Sequence, residues 1–399
     1  MKKILFVINT MGRAGAEMAL LELLRRLKTE ENEISLFVLT GQGEMIKELP
    51  EGIRLLNSTY DSCSVHTAEG KRHLMKTVFK SMFRRGTVFR LLPYLMKQAG
   101  HMIYQKRILP DKLLWRVLSD GAELLEESFD LAVAYIEGGS TYYVADHVKA
   151  KKKVAFFHVD YKMAGYTRAL DKECYLNYDK VFTVSDEVRN SFLEVYPECR
   201  EKTEVFHNLL GRERIINMAE KEEGFKDGYT GYRLLTVGRL TEQKDFAQSI
   251  RAMKLLKEKG IEARWYILGE GDQRTELERL IREFGLEEDF YLPGTVENPY
   301  CYMKQADIYV HATKFEGKSI AIQEAKILGC PVLVSDSSGN REQVQHGIDG
   351  FVCDMTPEAI CEGIQTLLSE EGMRKQFGER AAVSMMTENN DMEKLLLLL

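Results

Sequence analysis

Short apolar segments alternate with amphipathic segments along the whole chain. In the first half, runs with the apolar content of strands occupy residues 3–9, 34–40, 129–138, 153–159 and 180–185. In the second half, similar runs occupy residues 233–240, 263–272, 289–294, 307–313, 330–335 and 350–354. Apolar residues at helical spacing separate several of these runs, as in the stretch after Glu17. Apolar strands that alternate with helices predict parallel sheets covered on both faces.

The two series of strands predict an α/β protein with two doubly wound, Rossmann-like domains. We assign residues 1–208 to the N-terminal domain and residues 232–375 to the C-terminal domain. The stretch between them, residues 209–231, is polar and ends in glycines, which is typical of a linker. Ligands of such sheets bind outside the carboxyl ends of the strands, so two facing domains would share a cleft lined by the residues that follow strand ends.

The composition narrows the class of protein. The chain has 399 residues and a formal net charge of −6, so nucleic acid is not an expected partner. No apolar run approaches the roughly 18 residues that a membrane-spanning helix needs. The apolar run in MKKILFVINT is too short for a signal peptide and lacks a cleavage site, which favours a first strand. Seven cysteines without a CxxC pair predict free thiols in a reducing cytoplasm.

Residues 71–116 depart from the alternating pattern. They contain twelve Lys or Arg and a single acid, Asp111, which gives a net charge of +11 in a chain whose total is −6. The basic residues alternate with Phe, Leu, Met, Tyr and Trp at roughly helical spacing. This composition fits one or two solvated helices inserted into the first domain. It also fits an interface with anionic lipid, to which each basic residue near the membrane contributes about 1 kcal/mol. Nucleic-acid binding is a third interpretation, although no known module is visible.

Three clusters of candidate residues come directly after predicted strands. Gly12 and Gly15 follow the first strand, where glycines let backbone N–H groups approach an anion. Arg239 and Lys244 of GRLTEQK pair a planar fork with a point charge, which suits a diphosphate. The GEG of residues 269–271 leads from a strand into a helix and is a weak form of a dinucleotide fingerprint. Each cluster also has a purely structural interpretation: tight turns for the glycines and surface cations for Arg239 and Lys244.

The segment EGKSIAIQE combines two carboxylates with a predicted helix start. A helix that begins near Ser319 would direct its free N–H groups and the positive end of its dipole toward an anion. The backbone amides of Gly317, Lys318 and Ser319 would then contact a phosphate. Glu316 could reach hydroxyl groups beyond the phosphate, and Glu324 could accept hydrogen bonds from a vicinal diol such as ribose. Taken singly, Glu316 also fits a helix-capping acid and Glu324 a solvated helix face.

Taken together, these residues resemble glycosyltransferase family 4. The resemblance rests on Gly238-Arg239 with Lys244, on the two glutamates in an E-x7-E arrangement, and on the segments FFHVD and NPYCYMKQADIYVHAT. It spans nearly the whole chain, closely in the C-terminal half and poorly at residues 57–128. It implies a retaining, nucleotide-sugar-dependent enzyme of GT-B fold, in which two Rossmann-like domains face a central cleft. The stretch EGKSIAIQEAKILGCPVLVSD is similar to enzymes that assemble bacterial surface polysaccharides.

The resemblance also implies roles for individual residues. Arg239 and Lys244 would stabilise the departing diphosphate, Glu316 would hydrogen-bond the donor sugar, and Glu324 would bind the nucleotide ribose. His158 matches a histidine that the family places beside the transferred sugar. The expected catalytic residues are Arg239, Lys244, Glu316 and His158. The expected donor-binding residues are Gly15, Gly238, Arg239, Lys244, Gly317, Lys318, Ser319, Ile320 and Glu324.

Further features of the family extend these expectations. The N-terminal domain would bind the acceptor, with Gly15 facing the phosphates or the acceptor, and a helix at 376–399 would cross back to that domain. Lys318 stands where the family commonly has phenylalanine or leucine, so the phosphate contacts are expected to differ. No two aspartates are two residues apart, so the Asp-x-Asp bridge to a metal ion is absent. We therefore expect a metal-independent reaction with no cofactor besides the nucleotide-sugar.

The predicted function is transfer of a hexose-type sugar from a nucleotide-sugar to a lipid-linked or polysaccharide acceptor in bacterial surface glycan synthesis. UDP is the expected nucleotide because it is the commonest in the family. The protein would be cytoplasmic, with residues 71–116 as a peripheral contact with the inner face of the membrane. Two other functions fit the same fold. A sugar-nucleotide epimerase needs no acceptor, and a non-catalytic partner subunit has no need of the paired cations and glutamates.

Overall fold

The chain folds into two compact units. The computed structural model describes all residues except 29–30, 66, 105, 107 and 387–390, and the side chain of residue 338. The first unit consists of Met1–Leu209 together with Asn389–Leu399, and the second consists of Leu210–Glu388. Each unit has its own sheet and its own apolar core.

The first unit is built around one parallel sheet. Its strands are β1 Lys2–Ile8, β2 Asn32–Val38, β3 Arg54–Leu55, β4 Ser128–Ala134, β5 Lys149–Phe157, β6 Lys180–Thr183 and β7 Thr203–Val205. Within the described residues, these seven strands lie in the order β3-β2-β1-β4-β5-β6-β7. The helices are α1 Gly15–Leu27, α2 Ala68–Phe83, α3 Thr87–Tyr104, α4 Pro110–Gly121, α5 Gly139–His147, α6 Arg168–Asp171, α7 Asp186–Val195 and, from the C-terminal segment, α16 Met392–Leu396. Residues 4–8 of β1 have no exposed surface, as expected for a strand covered on both faces.

The second unit repeats this architecture. Its strands are β8 Tyr232–Val237, β9 Ala263–Leu268, β10 Phe290–Gly294, β11 Ile308–His311, β12 Val332–Ser335 and β13 Phe351–Cys353. In the described part of the unit, these six strands are parallel in the order β10-β9-β8-β11-β12-β13. The helices are α8 Arg212–Glu220, α9 Phe246–Glu258, α10 Arg274–Glu283, α11 Tyr300–Gln305, α12 Ile320–Ile327, α13 Ser338–Arg341, α14 Pro357–Ser369 and α15 Glu371–Ser384. Successive strand residues such as Leu234 and Leu235 belong to different apolar clusters, so each face of the sheet has its own core.

In each sheet the strand order reverses at the first strand. β1 lies between β2 and β4, and β8 lies between β9 and β11. Connections leave toward opposite sides at such a point, so a crevice opens at the carboxyl ends of the two strands. The residues after β8 and β11 therefore occupy the position at which open α/β sheets bind ligands.

Residues 209–231 differ from the linker that their polar composition predicts. They contain α8, which packs on α11 and α12 and belongs to the second unit. Its fully buried residues are Ile215 and Ala219, four positions apart. An apolar stripe this narrow is too weak a pattern to predict a helix from sequence alone.

The basic segment 71–116 forms parts of three helices, α2, α3 and α4, rather than one or two. Two of its residues, 105 and 107, lie outside the described residues. Arg116 on α4 is buried, pairs with Asp146 at 2.6 Å and donates to the Asp171 carbonyl at 3.0 Å. Because these contacts satisfy its charge inside the unit, Arg116 is a structural cation, and the solvated part of the segment is α2 and α3.

The crossover helix predicted at 376–399 is two helices, α15 in the second unit and α16 in the first. Residues 387–390 between them lie outside the described residues. The segment that carries α16 is held by polar contacts: the Asp391 carboxylate accepts from the His207 backbone N–H at 2.7 Å, and Lys394 Nζ donates to the Val205 carbonyl at 2.6 Å. These contacts tie the segment to the end of β7.

Two predictions from composition can be compared with the structure. The seven cysteines are free thiols, as their spacing predicts, and five of them are buried. No helix among the described residues combines the length and the apolar content needed to cross a bilayer.

Candidate active site

Two loops at the carboxyl ends of β8 and β11 form the candidate site of the second unit. Residues 238–245 follow β8, and residues 312–319 follow β11. Gln243 joins the loops, because its carbonyl accepts from the Lys314 backbone N–H at 3.1 Å and its side-chain amide donates to the Phe315 carbonyl at 2.9 Å. These hydrogen bonds fix the positions of the side chains that the two loops carry.

Lys244, Glu316 and His311 meet between these loops. Lys244 Nζ forms an ion pair with Glu316 Oε2 and lies 3.2 Å from His311 Nε2. His311 Nε2 lies 3.3 Å from the same carboxylate oxygen, and His311 Nδ1 lies 3.3 Å from the Tyr309 hydroxyl. The side chains of Lys244 and Glu316 are 14% and 17% exposed, so both remain accessible to a ligand, whereas His311 is buried. The fold thus joins a cation and a carboxylate that are 72 positions apart in sequence.

The charges of this cluster stabilise one another. Burial alone would raise the pKa of Glu316, but the Lys244 ammonium and His311 outweigh it and hold that pKa well below its usual range. Burial lowers the pKa of His311 to about 4, and the Lys244 ammonium acts in the same direction. At neutral pH, Glu316 is therefore ionised and His311 is uncharged.

Arg239 is the exposed member of the predicted pair of cations. Its side chain forms no hydrogen bond or ion pair within the part of the chain that the structure describes. Its loop lies against the loop after β9: a Cβ on Gly269 would lie 2.0 Å from the Gly238 carbonyl oxygen, and a Cβ on Gly271 would lie 2.2 Å from the Leu240 carbonyl oxygen. Only glycine fits at these contacts, so the GEG motif serves loop packing rather than a dinucleotide contact.

The N-terminus of α12 lies at the end of the second loop. The helix begins at Ile320, and the preceding residue, Ser319, is buried and makes no side-chain capping bond. The first N–H groups of the helix have no partner within it. A Cβ on Gly339 would lie 2.3 Å from the carbonyl oxygens of Glu316 and Gly317, so this backbone contact holds the loop before the helix. The predicted phosphate contacts Gly317, Lys318, Ser319 and Ile320 all lie at this helix start.

Glu324 lies inside α12 and is only 7% exposed, in contrast to a residue on a solvated face. The Tyr300 hydroxyl donates to its Oε1 at 2.8 Å. Burial raises the pKa of Glu324 to about 7, although the Tyr300 bond and the Arg214 charge act in the opposite direction. A ligand that donates further hydrogen bonds to this carboxylate would favour its ionised form.

We expect the raised pKa of Glu324 to appear in the pH dependence of stability. Between pH 4.5 and about 7 the folded protein keeps a proton that the unfolded chain has lost, so ionisation of Glu324 lowers the free energy of unfolding as pH rises through this window. Glu324→Gln removes the titration, so the variant's free energy of unfolding minus the wild-type value should rise by about 3 kcal/mol across the window. Urea unfolding at a series of pH values measures the difference. Glu362→Gln, at an exposed position, controls for the loss of one charge, and a pH-independent difference for Glu324→Gln would contradict the assignment.

The first unit contains the two remaining predicted residues, Gly15 and His158. Gly15 is the exposed first residue of α1. His158 follows β5; its backbone N–H donates to Glu137 Oε2 at 3.0 Å, and its ring centroid lies 5.1 Å from that of Tyr135. Burial lowers the pKa of His158 to about 4, so the ring is uncharged at neutral pH. Its Nε2 is buried and has no hydrogen-bond partner among the described residues, which leaves this atom available to a ligand.

Sequence patterns do not predict His311 or Tyr300 as site residues, yet both contact predicted ones. His311 is the last residue of an otherwise apolar strand, and Tyr300 opens α11. A histidine at the carboxyl end of a strand beside the switch point was the available signal for His311, whereas the contact of Tyr300 with Glu324 depends on how α11 packs on α12.

The site has no evident metal centre. Among the described residues, no three His, Cys, Asp or Glu side chains are grouped so as to hold a metal ion. Metal independence of the reaction stays a prediction.

Known proteins resemble this chain in sequence and in fold. Residues 219–383 match the family model for glycosyl transferases group 1. A Campylobacter jejuni protein named N-acetylgalactosamine-N,N'-diacetylbacillosaminyl-diphospho-undecaprenol 4-alpha-N-acetylgalactosaminyltransferase is 33% identical over 183 residues, 45% of this chain and 48% of its own length. The Bacillus subtilis poly(glycerol-phosphate) alpha-glucosyltransferase is 27% identical over 152 residues, 38% of this chain and 23% of its own length. The structure of Anabaena HepE in complex with UDP and glucose is 14% identical, with a TM-score of 0.69 over 100% of this chain and 98% of HepE.

These similarities define the class of protein. The likeness to HepE along the chain confirms the predicted α/β GT-B fold of two Rossmann-like domains. The family model and the names of the relatives indicate a glycosyltransferase enzyme. The matched region contains the whole candidate site of the second unit, from Gly238 to Glu324. The chain spans about half the length of the curated relatives it matches.

Proposed function

We propose that this protein is a retaining glycosyltransferase of family 4 that transfers a hexose-type sugar from a UDP-sugar to a lipid-linked or polysaccharide acceptor. The observation that carries the proposal is the Lys244–Glu316 pair at the switch point of the second sheet, beside the N-terminus of α12. A nucleotide-sugar has a diphosphate, a sugar and a ribose. A cation, a carboxylate and a helix N-terminus in one crevice suit the first two, and the buried Glu324 suits the third.

In the donor complex that we propose, the diphosphate takes the place of the Glu316 carboxylate beside Lys244. Lys244, Arg239 and the first N–H groups of α12 would contact phosphate oxygens. Glu316, released from its ion pair, would accept hydrogen bonds from the donor sugar. Glu324 would accept from the ribose hydroxyls, so UDP should bind more weakly as pH falls below 7 and Glu324 becomes protonated.

The proposed reaction breaks the bond between the anomeric carbon and the diphosphate oxygen. Negative charge develops on the leaving diphosphate, where Lys244, Arg239 and the helix amides stabilise it. The acceptor hydroxyl would attack from the leaving-group side and pass its proton to the departing phosphate oxygen, which retains the anomeric configuration. We propose that no metal ion or other cofactor takes part, because these groups supply the positive charge. The roles of His158 beside the transferred sugar and of Gly15 stay predictions.

The names of the relatives support the donor and acceptor classes. HepE has been solved with UDP and with UDP-glucose. The C. jejuni relative is named for a diphospho-undecaprenol glycan, and an Erwinia amylovora relative, 31% identical over 144 residues, is named for amylovoran biosynthesis. A UDP-sugar donor and such acceptors would place this protein in the cytoplasm at the inner face of the membrane.

Nucleotide binding provides the first test. UDP at 100 times its dissociation constant should raise the free energy of unfolding by about 2.7 kcal/mol, whereas GDP and ADP should have smaller effects. Arg239→Ala and Glu324→Ala should reduce the stabilisation by UDP. The control, Arg341→Ala, removes an exposed cation of the same unit that pairs with Asp336 at 2.8 Å, and it should leave the stabilisation intact. Absence of stabilisation by every nucleotide would refute the donor site.

Turnover separates the proposal from the other two functions. A transferase releases UDP from a UDP-sugar only when a polyprenyl-diphosphate glycan or a polysaccharide is present. An isomerised sugar formed without any acceptor would identify an epimerase. UDP binding without turnover on any acceptor would indicate a partner subunit.

A further inference from the structure

Helices α2 and α3 have one buried face and one exposed face. They pack on α4 and on each other through the face that carries Val78 on α2 and Leu91 and Met102 on α3. At the contact of α2 with α4 the backbones approach closely, since a Cβ on Gly121 would lie 2.2 Å from the Ser81 carbonyl oxygen. The opposite faces of α2 and α3, here called the α2–α3 face, are therefore turned toward solvent.

Large apolar side chains form a row along each helix of the α2–α3 face. On α2 they are Met75, Phe79 and Phe83, four residues apart and 66%, 65% and 53% exposed. The rings of Phe79 and Phe83 lie in contact, with centroids 4.8 Å apart. On α3 they are Phe89, Leu92, Met96 and Ile103, which are 72%, 48%, 68% and 66% exposed. Single exposed apolar residues are ordinary, but contiguous rows of them mark an interaction surface.

Basic side chains run beside the apolar rows. Arg72, Lys76 and Lys80 are four residues apart on α2, and Arg90 and Lys97 are seven apart on α3, so each set lies along one side of its helix. All five are exposed, and none forms an ion pair with a described carboxylate. Residues 71–104 contain no Asp or Glu at all. The face therefore combines apolar bulk with positive charge that nothing in the described structure neutralises.

We propose that the α2–α3 face docks on an anionic lipid bilayer. A bilayer surface offers phosphate groups to the basic rows and acyl chains to the apolar rows at the same time, which is the pairing that an interfacial amphipathic helix requires. The proposal concerns the first unit only and does not depend on the donor or the acceptor.

The chemistry of the face disfavours other occupants. A second copy of the chain in a two-fold contact would place this face against itself, which brings like charges together. A nucleic acid would satisfy the cations and could stack on the phenylalanines, but it offers no apolar surface to Met75, Leu92, Met96 and Ile103.

Binding to vesicles tests the proposal. The wild-type protein should co-sediment with vesicles of phosphatidylcholine containing 30% phosphatidylglycerol, more weakly as salt rises, and not with phosphatidylcholine alone. Lys76→Gln, Lys80→Gln and Arg90→Gln combined should lower the partition coefficient by roughly 100-fold, since each charge contributes about fivefold. Phe79→Ser, Phe89→Ser and Met96→Ser combined should also lower it, although this variant keeps every charge. The control combines Lys149→Gln, Lys152→Gln and Arg200→Gln, three exposed cations elsewhere in the same unit, and it should bind as the wild type does.

Several results would overturn the proposal. They are equal loss of binding in the control, no effect of the serine variant, or no binding to anionic vesicles. Self-association of the wild type that the serine variant abolishes would assign the face to a second copy, and tighter binding to a single-stranded oligonucleotide than to vesicles would assign it to nucleic acid. Thermal stabilisation by UDP should be the same in all three variants, so failure of membrane binding and failure of the donor site are distinguished.

Discussion

Replacing Lys244 by alanine should lower kcat by about 100- to 1,000-fold, the cost of removing one preorganised group that stabilises charge in the transition state. Lys244 Nζ lies beside Glu316 and His311 at the switch point of the second sheet, where the diphosphate of a donor would lie. Because the negative charge on the diphosphate grows as the sugar leaves, the loss should fall on kcat more than on the KM for the donor. Steady-state kinetics with a UDP-sugar and a glycan acceptor measure both constants.

The matched control is Lys314→Ala. Lys314 is an exposed cation on the adjacent loop that pairs with Asp245 at 3.3 Å, outside the Lys244–Glu316 cluster. We expect this variant to keep most of its kcat. Equal losses in the two variants would show that only the general positive potential of the loops matters, and an unchanged kcat in Lys244→Ala would remove the residue from the mechanism. A thermal unfolding curve is needed for each variant, because Lys244→Ala leaves the Glu316 carboxylate without its ion pair.

Asp349→Ala should lower the free energy of unfolding of the second unit by about 3 to 5 kcal/mol. Asp349 Oδ2 lies 2.8 Å from Lys326 Nζ, and the two side chains are only 9% and 5% exposed. The ammonium also donates to the Gln343 carbonyl at 2.6 Å. Removal of the carboxylate would leave a buried cation with a single carbonyl partner, which is far more costly than the loss of an exposed ion pair. Urea unfolding gives the difference directly.

A double variant and an exposed pair sharpen this test. Lys326→Met combined with Asp349→Leu replaces the pair by apolar groups of similar size, so stability should return to near the wild-type value. Glu220→Ala breaks an exposed pair with Lys304 at 3.0 Å and should cost less than about 1 kcal/mol. If Asp349→Ala is as stable as Glu220→Ala, the buried pair contributes far less than its burial indicates. Because Lys326 and Glu324 are both on α12, a destabilised pair should also weaken UDP binding.

The architecture could be predicted from the sequence because most strands are long and apolar. The exceptions are β3, with two residues, and β7, with three, since runs this short give no usable pattern. The helix within 209–231 was missed for the opposite reason: its surface is polar, and its contact with the second unit depends on only a few apolar residues. The basic segment was recognised by charge, but charge alone did not distinguish buried Arg116 from the exposed cations of α2 and α3.

The candidate site could be predicted as positions but not as contacts. Strand order places Lys244 and Glu316 after neighbouring strands, so their proximity follows from the topology. That the two form an ion pair, with His311 against both, depends on loop conformations that no local pattern encodes. The burial of Glu324 has the same origin, because it results from the packing of α11 on α12.

The first unit is discontinuous in sequence, since Asp391 and Lys394 bind the end of β7 from the far side of the second unit. A ribosome therefore finishes the second unit before it delivers the last piece of the first. The second unit can fold as soon as it emerges, whereas residues 205–207 must wait, with their partners still unsynthesised. Completion of the first unit thus becomes the closing event of the chain's assembly, although most of that unit was made first.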